Sequence, residues 1–235
     1  MLAISRDQQL EMIAYATKQL EMPEILLVEN AAAKVISAID LSRRETFAIF
    51  CGTEFNGACG LAIARGLLTK GKKVQIFIVG DLQEPSPAFE VNHQILFHMK
   101  AKMKRIKTLG DIEDLLQELM KVNTIIDAIY GTEKSTPVDS IASIAIGQIN
   151  ESRIFTLSID IASGIDATSG RPLGDFVEPG VMVTFEFMKK GMEACPYLHC
   201  PVKILPIGLP REAKSYVLGK DWESKMEKEE KNVKY

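Results

Sequence analysis

Two carboxylates stand where apolar runs give out. Asp127 interrupts Thr124-Ile125-Ile126-Asp127-Ala128-Ile129, and Asp160 closes residues 153–161, a stretch rich in Ile, Leu, Phe and Thr. An ionised carboxylate inside such a run is costly unless it is paired or bound to a cation. At the carboxyl end of a strand in an open α/β sheet, it faces the crevice where ligands bind. Ser163 and Gly164 follow Asp160 and begin a loop whose backbone can lie close to a small polar ligand. A plain strand exit with a solvated Asp is the competing reading.

A third candidate is the turn Gly52-Thr53-Glu54-Phe55-Asn56-Gly57-Ala58-Cys59-Gly60, between an apolar strand and a helix. Backbone amides at the start of such a helix favour phosphate. The turn matches neither the three-glycine dinucleotide fingerprint nor a P-loop with its lysine. A tight structural turn is therefore an equal reading. Cys59, at a helix N-terminus where thiolate is favoured, is a candidate nucleophile or redox thiol. Cys195, His199 and Cys200 lack a zinc-site spacing and read as structural residues.

The elements that must position these residues follow from periodicity and punctuation. Ser5-Arg6-Asp7-Gln8 is a capping box that opens a helix. Pro23 closes it, and a second helix spans residues 24–39 with Glu29 and Asn30 in need of partners. Strands are expected at 47–52, 72–79, 124–132, 153–161, 181–185 and 202–207. Helices are expected at 61–69, 88–102, 109–120 and 138–149. This alternation predicts an α/β fold with a mostly parallel sheet covered on both faces. The loops after Cys51, Ile129 and Ile161 then emerge at one edge, where Asn56, Asp127, Asp160 and Ser163 converge. Residues 1–220 read as one domain. Residues 221–235, which hold the only Trp, Trp222, read as a charged tail, a solvated helix or disorder.

A net charge of −3 gives no reason to expect nucleic acid. No apolar run is long enough for a signal peptide or a bilayer span, so a cytoplasmic location is expected. Four cysteines in 235 residues do not make a disulfide framework.

Taken together, these residues resemble the YjeF N-terminal domain family, the NAD(P)H-hydrate epimerases. Leu27-Val28-Glu29-Asn30-Ala31-Ala32 is similar to the family's Leu-Met-Glu-Asn-Ala-Gly helix. The turn from Gly52 to Leu61 is similar to Gly-x-Gly-Asn-Asn-Gly-Gly-Asp-Gly-Leu, and Asp127 to Thr132 to Asp-Ala-Leu-Phe-Gly-Thr. Asp160 to Gly164 resembles Asp-Ile-Pro-Ser-Gly. Thr184-Phe185 with Lys189-x-Gly191 resembles the Thr-Phe…Lys-Pro-Gly segment, and Ile207-Gly208-Leu209-Pro210 the Ile-Gly-Ile-Pro ending.

The resemblance implies a Rossmann-like three-layer α/β/α sandwich, often dimeric. It implies interconversion of the R and S hydrates of NADH and NADPH (NADHX and NADPHX), coupled to a separate dehydratase. It implies potassium held by Asn56, Asp127 and Ser163, oxygen donors suited to a hard cation. Substrate contacts would come from Phe55, Asn56, Gly57, Ala58, Cys59, Gly131, Thr132 and Asp160. Asp160 would be the acid/base, its pKa raised at the dry sheet edge, with Lys189 orienting the substrate. The route stays open between loss and return of the C6 hydroxyl and opening of the ring. Glu54, Phe55, Ala58, Cys59, Glu133 and Ala162 depart from the family pattern. A second reading is a non-catalytic relative using the pocket as a sensor or the surface as an interaction module.

Overall fold

The computed structural model describes residues 2–82 and 84–224. In chain order they form β1 (Ala3–Ile4), α1 (Arg6–Lys18), α2 (Glu24–Ala38), β2 (Thr46–Cys51), α3 (Phe55–Thr69), β3 (Lys73–Val79), α4 (Pro87–His98) and β4 (Lys102–Ile106). A 3-10 turn (Leu109–Asp111), α5 (Leu115–Leu119), β5 (Thr124–Ala128), α6 (Ser140–Ser152) and β6 (Thr156–Ile159) come next. β7 (Val181–Phe185), β8 (Met188–Lys189), α7 (Lys190–Ala194), β9 (Val202–Leu205) and α8 (Arg211–Leu218) complete the chain.

The main sheet is seven-stranded and parallel, in the order β4-β3-β2-β5-β6-β7-β9. Alternation along β2 feeds two cores. Phe47, Ile49 and Cys51 face α1 to α4, while Ala48 and Phe50 face α5 and α6. This is the period of two that a strand imposes on its side chains. The α/β sandwich expected from the sequence is thus present.

Local chemistry fixes the helix ends. Ser5 and Gln8 form the capping box, and Asp139 caps α6 by accepting from the amides of Ile141 and Ala142. The polar pair inside α2 finds its partners: Glu29 binds Arg65, and Asn30 donates to the Ile207 carbonyl at 2.9 Å. Glu186 accepts from the amides of Ile207 and Leu209 and pairs with Lys214 at 2.6 Å, tying α8 to the sheet.

Some expectations need correction. The helix expected at 88–102 ends at His98, and the chain continues into the edge strand β4, whose sequence Lys-Met-Lys-Arg-Ile carries too little apolar signal to announce a strand. The helix expected at 109–120 is broken into the 3-10 turn and α5, because Asp111 turns back to accept from the amides of Lys107 and Thr108. The domain does not stop at 220. Trp222 is buried edge-on against Phe187 and donates to Ser215 Oγ at 3.2 Å. Residues 225–235 of the expected tail lie outside the described residues.

Candidate active site

The carboxyl ends of β2, β5 and β6 bring Asn56, Asp127, Asp160 and Ser163 to one edge, as expected. The turn read as a loop at 52–60 is shorter than that. α3 begins at Phe55, so Asn56, Gly57, Ala58 and Cys59 lie in its first turns, all buried. Two glycines allow this. A Cβ on Gly57 would stand 1.9 Å from the Gly52 carbonyl oxygen, and one on Gly52 would stand 2.0 Å from that of Ile129. Only bare backbone lets the helix start so close to the sheet.

Asp127 is wholly buried on β5. Ser158, its register partner on β6, donates to one oxygen at 2.6 Å, and the Ser163 amide donates to the same oxygen at 3.0 Å. The Ser163 hydroxyl and the Ile129 amide reach the other oxygen. Burial nevertheless raises the pKa above the ordinary carboxylate value, outweighing these hydrogen bonds. Asn56 donates to the Ile159 carbonyl at 3.3 Å, and its own Oδ1 is buried with no partner among the described residues. An orphaned amide oxygen, a hydroxyl and a buried carboxylate make a donor set suited to a hard cation. Ser158 was not singled out from the sequence, although a serine within an apolar strand was a visible signal.

Asp160 follows β6 with φ +65°, a left-handed conformation that a non-glycine residue adopts at a cost. One carboxylate oxygen accepts from the Thr132 amide at 2.8 Å. The other pairs with Lys189 Nζ at 3.1 Å and meets Thr184 Oγ1 at 3.4 Å. Lys189 has no solvent exposure. Its ammonium also donates to Thr184 Oγ1 at 2.8 Å and to the carbonyls of Phe185 and Phe187 at 3.1 Å. The expected rise in the Asp160 pKa is corrected here. Burial does push it up, but the Lys189 charge and the Thr132 hydrogen bond win, and the net shift is downward. Asp160 rests as a carboxylate. Lys189, saturated by protein partners, acts on Asp160 and positions it.

Cys59 is not a reactive thiol. It is fully buried in the core, and burial together with the fields of Asp160 and Glu133 raises its pKa well above the ordinary thiol value. Cys195 packs with Ile161 and Met192, as a structural thiol should.

Glu133 is the residue that sequence reasoning noted only as a departure. Its carboxylate folds back to accept from the Gly131 amide at 3.1 Å, next to the amide that holds Asp160. Burial pushes its pKa up to about 7, with the charges of Asp160 and Glu54 adding to the rise. Glu133 lines a cleft of about 440 Å³ together with Gly52, Glu54, Asp81, Tyr130 and Asp139. A larger cavity, about 950 Å³, opens at the opposite ends of the strands near Thr46, Lys73 and Lys102, away from every group of this site.

Residues 24–191 match the family described as YjeF-related protein N-terminus. An NAD(P)H-hydrate epimerase of Anaerococcus prevotii is 38% identical over 91% of this chain and 98% of its own length. A bifunctional NAD(P)H-hydrate repair enzyme of Moorella thermoacetica is 28% identical over 84% of this chain and 38% of its own. The crystal structure of yeast ynu0 superposes with a TM-score of 0.76 at 17% identity, over 92% of this chain and 93% of that one.

Proposed function

Since this chain belongs to the YjeF-related N-terminal family, we propose that it is an NAD(P)H-hydrate epimerase, interconverting the R and S forms of NADHX and NADPHX. The observation that carries the reading is Asp160, held ionised at the ligand-facing edge of the sheet by the buried Lys189. A carboxylate in that state starts by taking a proton. At a hydrated nicotinamide ring the proton comes from the C6 hydroxyl. The pair left on the hydroxyl oxygen then forms the carbonyl π bond while the C6–N1 pair moves to nitrogen, which takes the proton from Asp160. Closure onto the other face of the carbonyl reverses these steps and inverts C6. This ring-opening route fits an ionised Asp160 better than hydroxide loss, which needs an acid at the outset.

Asn56, Asp127 and Ser163 would hold a potassium ion. When bound, it supplies positive charge beside a buried carboxylate and a negatively charged substrate. Thr132 fixes Asp160 through its amide, and the amides at the α3 N-terminus would take the diphosphate. The S epimer passes to a separate dehydratase. Among the described residues, no helix is long and apolar enough to cross a membrane. Four free thiols support a reducing, cytoplasmic compartment. The exposed apolar side chains Val91, Ile95 and Phe97 on α4 support a homodimer.

The test is epimerisation of R-NADHX in potassium buffer, with a coupled dehydratase consuming the S form. Turnover above the spontaneous rate, lost in Asp160→Asn, is expected. A folded protein with no turnover would sink the reading.

A further inference from the structure

The sheet order β4-β3-β2-β5-β6-β7 follows the doubly wound dinucleotide pattern in which the third, second and first strands precede the fourth, fifth and sixth. β2 takes the place of the first strand and β3 that of the second. In that architecture an acidic side chain past the second strand accepts from the adenosine ribose hydroxyls, whereas a nearby cation accommodates a 2′-phosphate.

Past β3 stand Gly80 and then Asp81, and Asp81 lines the same cleft as Gly52, Glu54 and Glu133. Gly80 has φ +93°, and a Cβ built on it would meet nothing within 4 Å, so the backbone beside Asp81 is open to a ligand. Asp81 is anchored through one oxygen only. Oδ1 accepts from the Leu82 amide at 2.9 Å, Arg105 at 3.2 Å and Lys107 at 3.3 Å. Among the described residues Oδ2 accepts no hydrogen bond. The carboxylate is thus anchored through Oδ1, with an acceptor that no described residue takes.

Asp160 stands on the same edge three strands away, roughly 14 Å at the usual strand spacing. A dinucleotide whose nicotinamide ring lies at Asp160 crosses the ends of β5 and β2 with its diphosphate and brings its adenosine to β3. There it meets Asp81. Among the described residues the cleft lining also carries Glu54, Glu133 and Asp139 against one cation, Lys134, whose ammonium lies over the Tyr130 ring, while Arg105 and Lys107 reach its edge only through their pairs with Asp81. A 2′-phosphate would bring further negative charge into this lining.

We propose that Asp81 reads the adenosine ribose, accepting from its 2′-hydroxyl through Oδ2, and that this chain therefore selects NADHX over NADPHX. The inference rests on the epimerase reading and deepens it. Arg105 and Lys107 are occupied by Asp81. Without its carboxylate, they become a phosphate site.

Two measurements on the full-length chain test this: kcat/KM for NADHX against NADPHX, and calorimetric affinity for ADP-ribose against its 2′-phosphate. The unphosphorylated partner is favoured roughly tenfold or more in both, as expected for a charge-assisted hydrogen bond. Asp81→Asn removes the preference and strengthens binding of the 2′-phosphate. Adding Arg105→Ala and Lys107→Ala cancels that gain. A wild-type ratio near one, a preference for the phosphorylated partner, or a ratio that Asp81→Asn leaves unmoved overturns the proposal. So does failure of the wild-type protein to bind ADP-ribose. Equal turnover of both hydrates would sink the role of Asp81 and keep the epimerase. ADP-ribose discrimination with no turnover of either hydrate would support Asp81 and sink the epimerase.

Discussion

Lys189 Nζ lies 3.1 Å from Asp160 Oδ1, with the lysine fully enclosed and the carboxylate almost so. The pair decides which protonation state Asp160 rests in. Without the lysine, burial alone would push the Asp160 pKa upward; with it, the net shift is downward. A buried ion pair carries a large desolvation cost, so its presence is better explained by what it does to Asp160 than by added stability.

Lys189→Met keeps the length of the side chain and removes the charge. The acid limb of the kcat/KM profile then moves to higher pH, and stability falls by about 3–5 kcal/mol, the usual cost of leaving one member of a buried pair. In the wild-type protein the lowered Asp160 pKa contributes stability above the ordinary carboxylate range, and this is lost as pH falls through the folded-state value. A pH–rate profile and urea titrations read both effects. An unmoved acid limb would rule out control of Asp160 by Lys189.

Glu133 sets a second pH dependence. Its pKa is pushed up to about 7 in the fold. The stabilising neutral form is fully present below the unfolded-state value and is lost as pH rises through about 7. Ionisation there places a new charge near Asp160 and in the cleft proposed to receive an anionic substrate. KM is expected to rise between about pH 6 and 8, with kcat changing less. Glu133→Gln flattens that rise. If the variant retains the same KM profile, the ionisation belongs elsewhere.

The proposed cation site can be tested separately from activity. Potassium added to the wild-type protein raises the thermal midpoint, by mass action worth about 2.7 kcal/mol at a hundred times Kd. Asn56→Ala removes the orphaned oxygen and abolishes most of that shift, while Asp127→Asn abolishes all of it. Differential scanning fluorimetry in potassium against tetramethylammonium salts gives the comparison. Equal shifts in wild type and Asn56→Ala would rule out Asn56 as a ligand.

The convergence of Asn56, Asp127, Asp160 and Ser163 was legible because each sits just after or within an apolar run, and a parallel sheet sends all such exits to one edge. The state of Asp160 was not legible. It depends on Lys189, 29 residues later in the numbering, arriving through β8, a two-residue strand held by β1. No periodicity announces so short a pairing. Glu133 and Cys59 were visible as unusual residues, but their roles depend on burial. β4 was missed because an edge strand reading Lys-Met-Lys-Arg-Ile resembles a helix end, and Trp222 because its partner Phe187 lies on the far side of β9 in sequence.

The resting carboxylate at Asp160 also makes a statement about the fate of one oxygen atom. If epimerisation begins with proton removal from the C6 hydroxyl and opening of the ring, the hydroxyl oxygen becomes the carbonyl oxygen and returns on closure. Run in ¹⁸O-labelled water, the S epimer formed from unlabelled R-NADHX should then carry almost no label at C6, beyond exchange measured in the absence of protein. Loss and return of the hydroxyl predicts full incorporation, because the returning oxygen comes from solvent. Mass spectrometry of the early product distinguishes the two. Full incorporation would mean that Asp160 must first be protonated, which an ion pair with a buried lysine opposes. The mechanism would then need another proton donor at the ring, and Glu133, with a pKa of about 7 and a seat on the neighbouring amide, is the group placed to supply it.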